Sequence, residues 1–175
     1  MTIQTGSSVS RRRLLLSGAG LALGASLPFR PAQAGATGDT RIKPLPSRAG
    51  LRGAGQPETD IWGYDGLAPG PVLRLRQGAP ARIIVENQLS QDTTVHWHGI
   101  RLPNAMDGVP GLTQPPIKPG ESFVYEFTPP DAGTFWYHSH VNSLEQLGRG
   151  LAGVLIVGER EPVAVDRDQI GRAHV

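Results

Sequence analysis

The sequence predicts an all-β domain of the sandwich or small-barrel kind, and three observations carry that expectation. Short apolar or alternating runs recur at intervals of roughly ten residues, with turn signals between them. Glycine (23) and proline (16) are plentiful among the 175 residues, while aromatic residues make up only 6%, a composition suited to many short strands joined by turns. No helix of ordinary length can be read from the apolar periodicity.

Taken in order, residues 60–66 (Asp-Ile-Trp-Gly-Tyr-Asp-Gly) read as a short strand running into a turn. After Pro69-Gly70-Pro71, residues 72–76 place Leu73 and Leu75 on one face and Arg74 and Arg76 on the other, the alternation of a half-buried strand. Gln77-Gly78 is a turn, residues 81–89 are rich in strand formers, and 88–92 turn again. Residues 102–120 carry Pro103, Pro110, Pro115, Pro116 and Pro119 with three glycines. They form a long loop, of a length associated with function or disorder. Residues 121–128 alternate most clearly, with Phe123, Tyr125 and Phe127 turned to the core. A turn over 129–133 follows, then a strand, then room for one helical turn in 141–150. A continuous apolar strand over 151–157 closes the domain.

The flanks have a different character. Ser10-Arg11-Arg12-Arg13, an apolar run over 14–27 and Ala32-Gln33-Ala34 follow the order of an export leader. That run is too short for a bilayer, which needs about 20 residues. The arginine cluster resembles a twin-arginine signal. The expectation is a signal peptide over 1–34 and a periplasmic or secreted protein with no membrane span once the leader is removed. Residues 35–56 read as a linker, 57–160 as the folded domain, and 161–175 as a truncated link to a further domain. The last seven residues show no strand, cap or turn logic and read as a non-native end, so His174 is left out of the site.

Charge and cysteine content narrow the function. The formal net charge of +2 owes its sign to the leader. Without the four arginines of residues 1–34 the balance is 13 basic against 15 acidic residues, or −2, which speaks against nucleic acid as a partner. With no cysteine in the chain, disulfides and thiolate metal ligands are excluded.

Chemistry concentrates in two segments, Thr94-Val95-His96-Trp97-His98-Gly99 and Gly133-Thr134-Phe135-Trp136-Tyr137-His138-Ser139-His140. Each holds two histidines separated by one residue, and together they use four of the five histidines. On a strand, His96 and His98 share a face, and so do His138 and His140, while Val95, Trp97, Phe135, Tyr137 and Ser139 turn away. Residues two apart are about 6.6 Å from each other along a strand, and adjacent strands lie about 4.8 Å apart. Four imidazoles would then converge on one small volume. A lone histidine on a strand is most simply a hydrogen-bonded polar residue. Four on one face without a metal would leave donors and acceptors to satisfy, at about 1–3 kcal/mol each. Neutral imidazole suits zinc, copper, iron and nickel.

His96-Trp97-His98-Gly99, followed some forty residues on by residues 133–140, resembles the amino-terminal cupredoxin (plastocyanin-like) domain of the multicopper oxidases, the laccase-like family. Pro69-Gly70-Pro71, Asp107-Gly108-Val109, Pro119-Gly120 and Gly150-Leu151-Ala152-Gly153 agree with it. The resemblance covers about residues 58–160 and implies a Greek-key β-sandwich. It also implies half of the ligands of a trinuclear copper cluster that reduces O2 to water while a phenolic substrate or metal ion is oxidised. By motif position, His96 would bind the type 2 copper, His98 and His138 one type 3 copper, and His140 the other. Asp107 aligns with an acid that supplies protons near the cluster, although Asp107-Gly108 also reads as a plain turn. Trp136 and Tyr137 read as packing residues and Trp97 as core. The type 1 site of the family needs a cysteine, which this chain lacks. The resemblance therefore implies a first domain, inactive alone, completed by downstream cupredoxin domains or a neighbouring subunit.

Two other readings compete. His138-Ser139-His140 with Glu145 is close to a cupin metal motif, and a carbonic-anhydrase-like zinc site also uses two histidines on a strand. Neither explains both histidine pairs. A non-enzymatic periplasmic copper carrier or structural cupredoxin-like protein is the remaining alternative.

Overall fold

The computed structural model describes residues 39–161 together with 164 and 165. The expected leader over 1–34 and the chain end after 165 lie outside the described residues. Among the described residues, nine strands alternate with turns, joined by a three-residue 3-10 turn (Asn104–Met106) and one six-residue helix. The strands are β1 (Thr40–Ile42), β2 (Pro44–Ala49), β3 (Thr59–Tyr64), β4 (Gly70–Arg76) and β5 (Ala81–Glu86), followed by β6 (His96–His98), β7 (Ser122–Phe127), β8 (Gly133–His138) and β9 (Ala152–Gly158). The helix, α1 (Ser143–Gly148), lies between β8 and β9. The all-β expectation holds.

Three strands form one sheet in the order β1-β5-β7, four form another in the order β4-β9-β8-β6, and β2 and β3 make a ribbon. Strand partners are distant in sequence, with β1 parallel to β5 and β4 parallel to β9, so the connections cross between the sheets. The core lies between the two larger sheets. Ile42, Ile83, Val85, Tyr125 and Phe127 come from the first, and Leu73, Trp97, Tyr137, Leu155 and Val157 from the second. Removing side chains of this size from water stabilises the fold by roughly 1.5–3 kcal/mol each. Trp97 is at its centre, with ring centroids 5.2 Å from Tyr125, 5.4 Å from Phe127 and 5.9 Å from Tyr137.

The sequence misassigns the stretch read as a linker. Residues 40–42 pair with Ile83, Ile84 and Val85 of β5, and residues 44–49 pair with β3 from Tyr64 back to Thr59. Pro44 and Pro46 argue against a strand because each lacks an amide donor. They are tolerated here because β2 borders only β3. Both stand at positions of the same parity, and the Pro44 carbonyl points away from β3 to accept from the Gln88 amide at 3.0 Å. The folded unit thus includes residues from 40 onward rather than from 57.

The loop over 102–120 is ordered against the domain. Thr93 and Ile117 exchange backbone hydrogen bonds of 3.0 and 2.8 Å, and Ile117 is buried in the core. The buried Asn87 side chain donates to the carbonyls of Gln91 and Ile117, both at 2.8 Å. Arg101 closes the other side with a two-pronged ion pair to Asp131, at 2.7 and 2.8 Å. These contacts bring Asp107 and Gly108 back over the start of β6.

Candidate metal centre

The two histidine pairs meet through the β6–β8 ladder, in which His96 stands opposite His138, Trp97 opposite Tyr137, and His98 opposite Trp136. Alternation then sends Trp97 and Tyr137 into the core while the histidines share the outer face. The His96 ring centroid is 5.5 Å from that of His98, 5.4 Å from His138 and 5.3 Å from His140. His98 and His138 are 5.6 Å apart, and His138 and His140 6.1 Å. All four predicted ligands therefore line one wall. One ligand nitrogen each from His96, His98 and His138 lies within 4.8 Å of the others. His140 stands beside this trio, against His96, and is not part of it.

Backbone carbonyls set the proton positions. His96 Nδ1 is 2.7 Å from the Asp107 carbonyl oxygen, and His138 Nδ1 is 2.9 Å from that of Ser139. A carbonyl can only accept, so each Nδ1 carries the proton and donates it. Nε2 of both rings is left with its lone pair, the form that ligates a metal. His138 Nε2 and His98 Nδ1 face each other at 3.5 Å. Two nitrogens held about 2 Å from one ion at a tetrahedral angle would be roughly 3.3 Å apart. The donor set fits a metal that favours imidazole, with the outer hydrogen bonds already in place.

Asp107 is at the site, but its closest contact is through the main chain. Its carboxylate Oδ1 is 3.4 Å from His96 Nδ1, farther than its carbonyl. Residue type and spacing carry no sign of that carbonyl. Trp136 is the second addition: it shares the parity of His138, stacks on that ring at 4.0 Å, and lies 4.9 Å from His98. It packs against the histidines themselves and not against the core. Third, a buried polar cluster of Thr93, Ser139 and Gln146 supports the second pair from behind. Glu145, required by the cupin reading, is engaged on α1 with Arg149 at 3.0 Å and Asn142 at 2.8 Å.

Burial pushes the His138 imidazolium down to about 4, helped by the charges on His96, His98 and His140 and opposed by the Ser139 carbonyl. His138 as a residue is only 7% exposed. In the unfolded chain the same group titrates near 6.5. Between those values the unfolded chain binds a proton that the folded one does not, so stability rises with pH. Metal-free thermal melts are thus expected to show full stability above about pH 6.5 and a progressive loss as pH falls through about 4. His138→Gln should flatten that loss; an unchanged pH slope in the variant would assign it elsewhere.

Among the described residues no helix is long and apolar enough to cross a membrane. The family model described as multicopper oxidase matches residues 48–162. Copper resistance protein A of Escherichia coli is 40% identical over 141 residues, covering 72% of this chain and 23% of that protein. Copper resistance protein A of Pseudomonas syringae pv. tomato is 46% identical over 98 residues, covering 56% of this chain and 16% of that protein. A crystal structure of a multi-copper oxidase from Pseudomonas thermotolerans matches with a TM-score of 0.69 at 51% identity, over 74% of this chain and 31% of that one. The chain thus spans less than a quarter of the length of either curated relative. The match over residues 48–162 takes in β3 to β9 and both histidine pairs, and by it the chain belongs to the multicopper oxidase family.

Proposed function

We propose that this domain supplies His96, His98, His138 and His140 to a trinuclear copper cluster that reduces O2 to water while a phenolic substrate or metal ion is oxidised. The remaining ligands and the electron-entry copper would come from further cupredoxin domains or a neighbouring subunit. The observation that carries this reading is the common wall of four imidazoles. When bound, copper supplies one-electron redox chemistry at several ions side by side, enough together for the four electrons that O2 requires. Nitrogen donors favour copper over other divalent first-row ions.

The chain's own residues have distinct parts in this reading. The 3.5 Å approach of His98 Nδ1 to His138 Nε2 supports their sharing one type 3 ion. His140, outside the convergent trio, serves the other type 3 ion, and His96 the type 2 ion. Asp107, partly exposed and beside His96, passes protons between solvent and the cluster. Export by the leader would place the enzyme in the periplasm or outside the cell.

Copper titration of the chain, followed by electron paramagnetic resonance, tests the assignment. His98→Gln and His138→Gln are each expected to abolish the same bound ion, while His140→Gln keeps it. Full copper binding by either of the first two variants would overturn the pairing. Oxidase activity is expected only from a protein that also carries the missing ligands, and its appearance in this chain by itself would overturn the shared-cluster reading.

A further inference from the structure

The helix α1 is short and exposes Leu144, yet its Gln146 is completely buried. Gln146 Nε2 donates to the Asp92 carbonyl at 2.8 Å. Its Oε1 accepts from the Thr93 hydroxyl at 2.8 Å and from the Ser139 hydroxyl at 2.5 Å. The Asp92 carbonyl can only accept, so it fixes which end of the amide is nitrogen. One side chain thus joins the segment that leads into β6 to the residue between His138 and His140. Its backbone joins the same assembly: the Gln146 carbonyl accepts from Leu151 N at 3.0 Å, and the Leu151 carbonyl accepts from Ser139 N at 3.2 Å. The Ser139 carbonyl in turn orients His138 through Nδ1.

We infer that Gln146 is a positioning residue for the metal centre, setting the separation of the two histidine pairs and the tautomer of His138 through Ser139. This rests on the copper reading for its consequence, although the positioning itself is a property of the metal-free chain. Any buried amide needs hydrogen bonds; what sets this one apart is that its partners lie at Asp92 and Thr93, leading into β6, and at Ser139, between His138 and His140. Loss of hydrogen bonds that orient a metal-binding histidine typically costs 10–100-fold in metal affinity.

The test uses the whole chain with Gln146→Met, which keeps the approximate volume, and Ser139→Ala as a second variant in case the first does not fold. Cuprous ion affinity is measured by competition with a chelator. Long-range proton–nitrogen NMR of the metal-free chain reads the His138 tautomer. Folded Gln146→Met is expected to bind cuprous ion about 10–100-fold more weakly and to lose the single Nδ1-protonated form of His138. Ser139→Ala should move both readouts in the same direction. Affinity within twofold of the parent together with an unchanged tautomer, in whichever variant folds, would overturn the inference. If the parent chain takes up no copper, the copper reading fails, and the tautomer comparison still decides the role of Gln146.

Discussion

Replacing Gly108 with alanine is expected to destabilise the chain by roughly 3 kcal/mol or more. Gly108 has φ +77°, and a Cβ built there would stand 1.9 Å from the Val95 carbonyl oxygen and 2.9 Å from the His96 nitrogen. Both neighbours are backbone atoms of the first histidine segment, so no side-chain rotation relieves the contact. The left-handed conformation alone costs about 1–2 kcal/mol for a residue with a Cβ. Forcing the loop off the strand adds about 1–3 kcal/mol. Gly111 is the matched control, with φ +75° and nothing within 4 Å of its added Cβ. Gly111→Ala should therefore cost only the conformational part. Urea unfolding at constant slope measures both, and equal losses for the two variants would remove the close approach as the cause. Displacement of the loop also withdraws the Asp107 carbonyl from His96, so Gly108→Ala should bind copper poorly even where it remains folded.

Trp97→Ala is expected to lose roughly 3–5 kcal/mol, the range for truncating a buried aromatic ring. Trp97 is fully buried between the two sheets. Its indole nitrogen has no hydrogen-bond partner among the described residues, so the loss reflects packing and the cavity left behind. Trp97→Phe should recover much of it, since a ring would still meet Tyr125 and Phe127. A loss below about 1 kcal/mol for the alanine variant would mean that the sheets close over the gap. Both unfolding curves are to be recorded without metal, because a ligand of the native state would mask the difference.

The histidine pairs and Trp97 were legible in the sequence because strand alternation is local: parity alone separates the faces. The same rule applied to residue 136 would have put its indole with His138, where it is found. Other features depend on distant partners. The residues that Gln146 holds at 92, 93 and 139 are brought to it only by the fold, so nothing within α1 announces its role. Gly108 belongs to a loop without periodicity, where its constraint comes from Val95. The strands over 40–49 were hidden by two prolines, whose cost vanishes only on a strand with one neighbour.

The facing of His96 and His138 across the β6–β8 ladder has a consequence for how errors in folding are rejected. A slip of β6 by a single step would turn Trp97 out to water and drive imidazoles into the apolar interior. Misthreaded chains therefore forfeit their core as well as their ligands, and the oily side of the sheet acts as a proofreader for the wet side before any ion arrives.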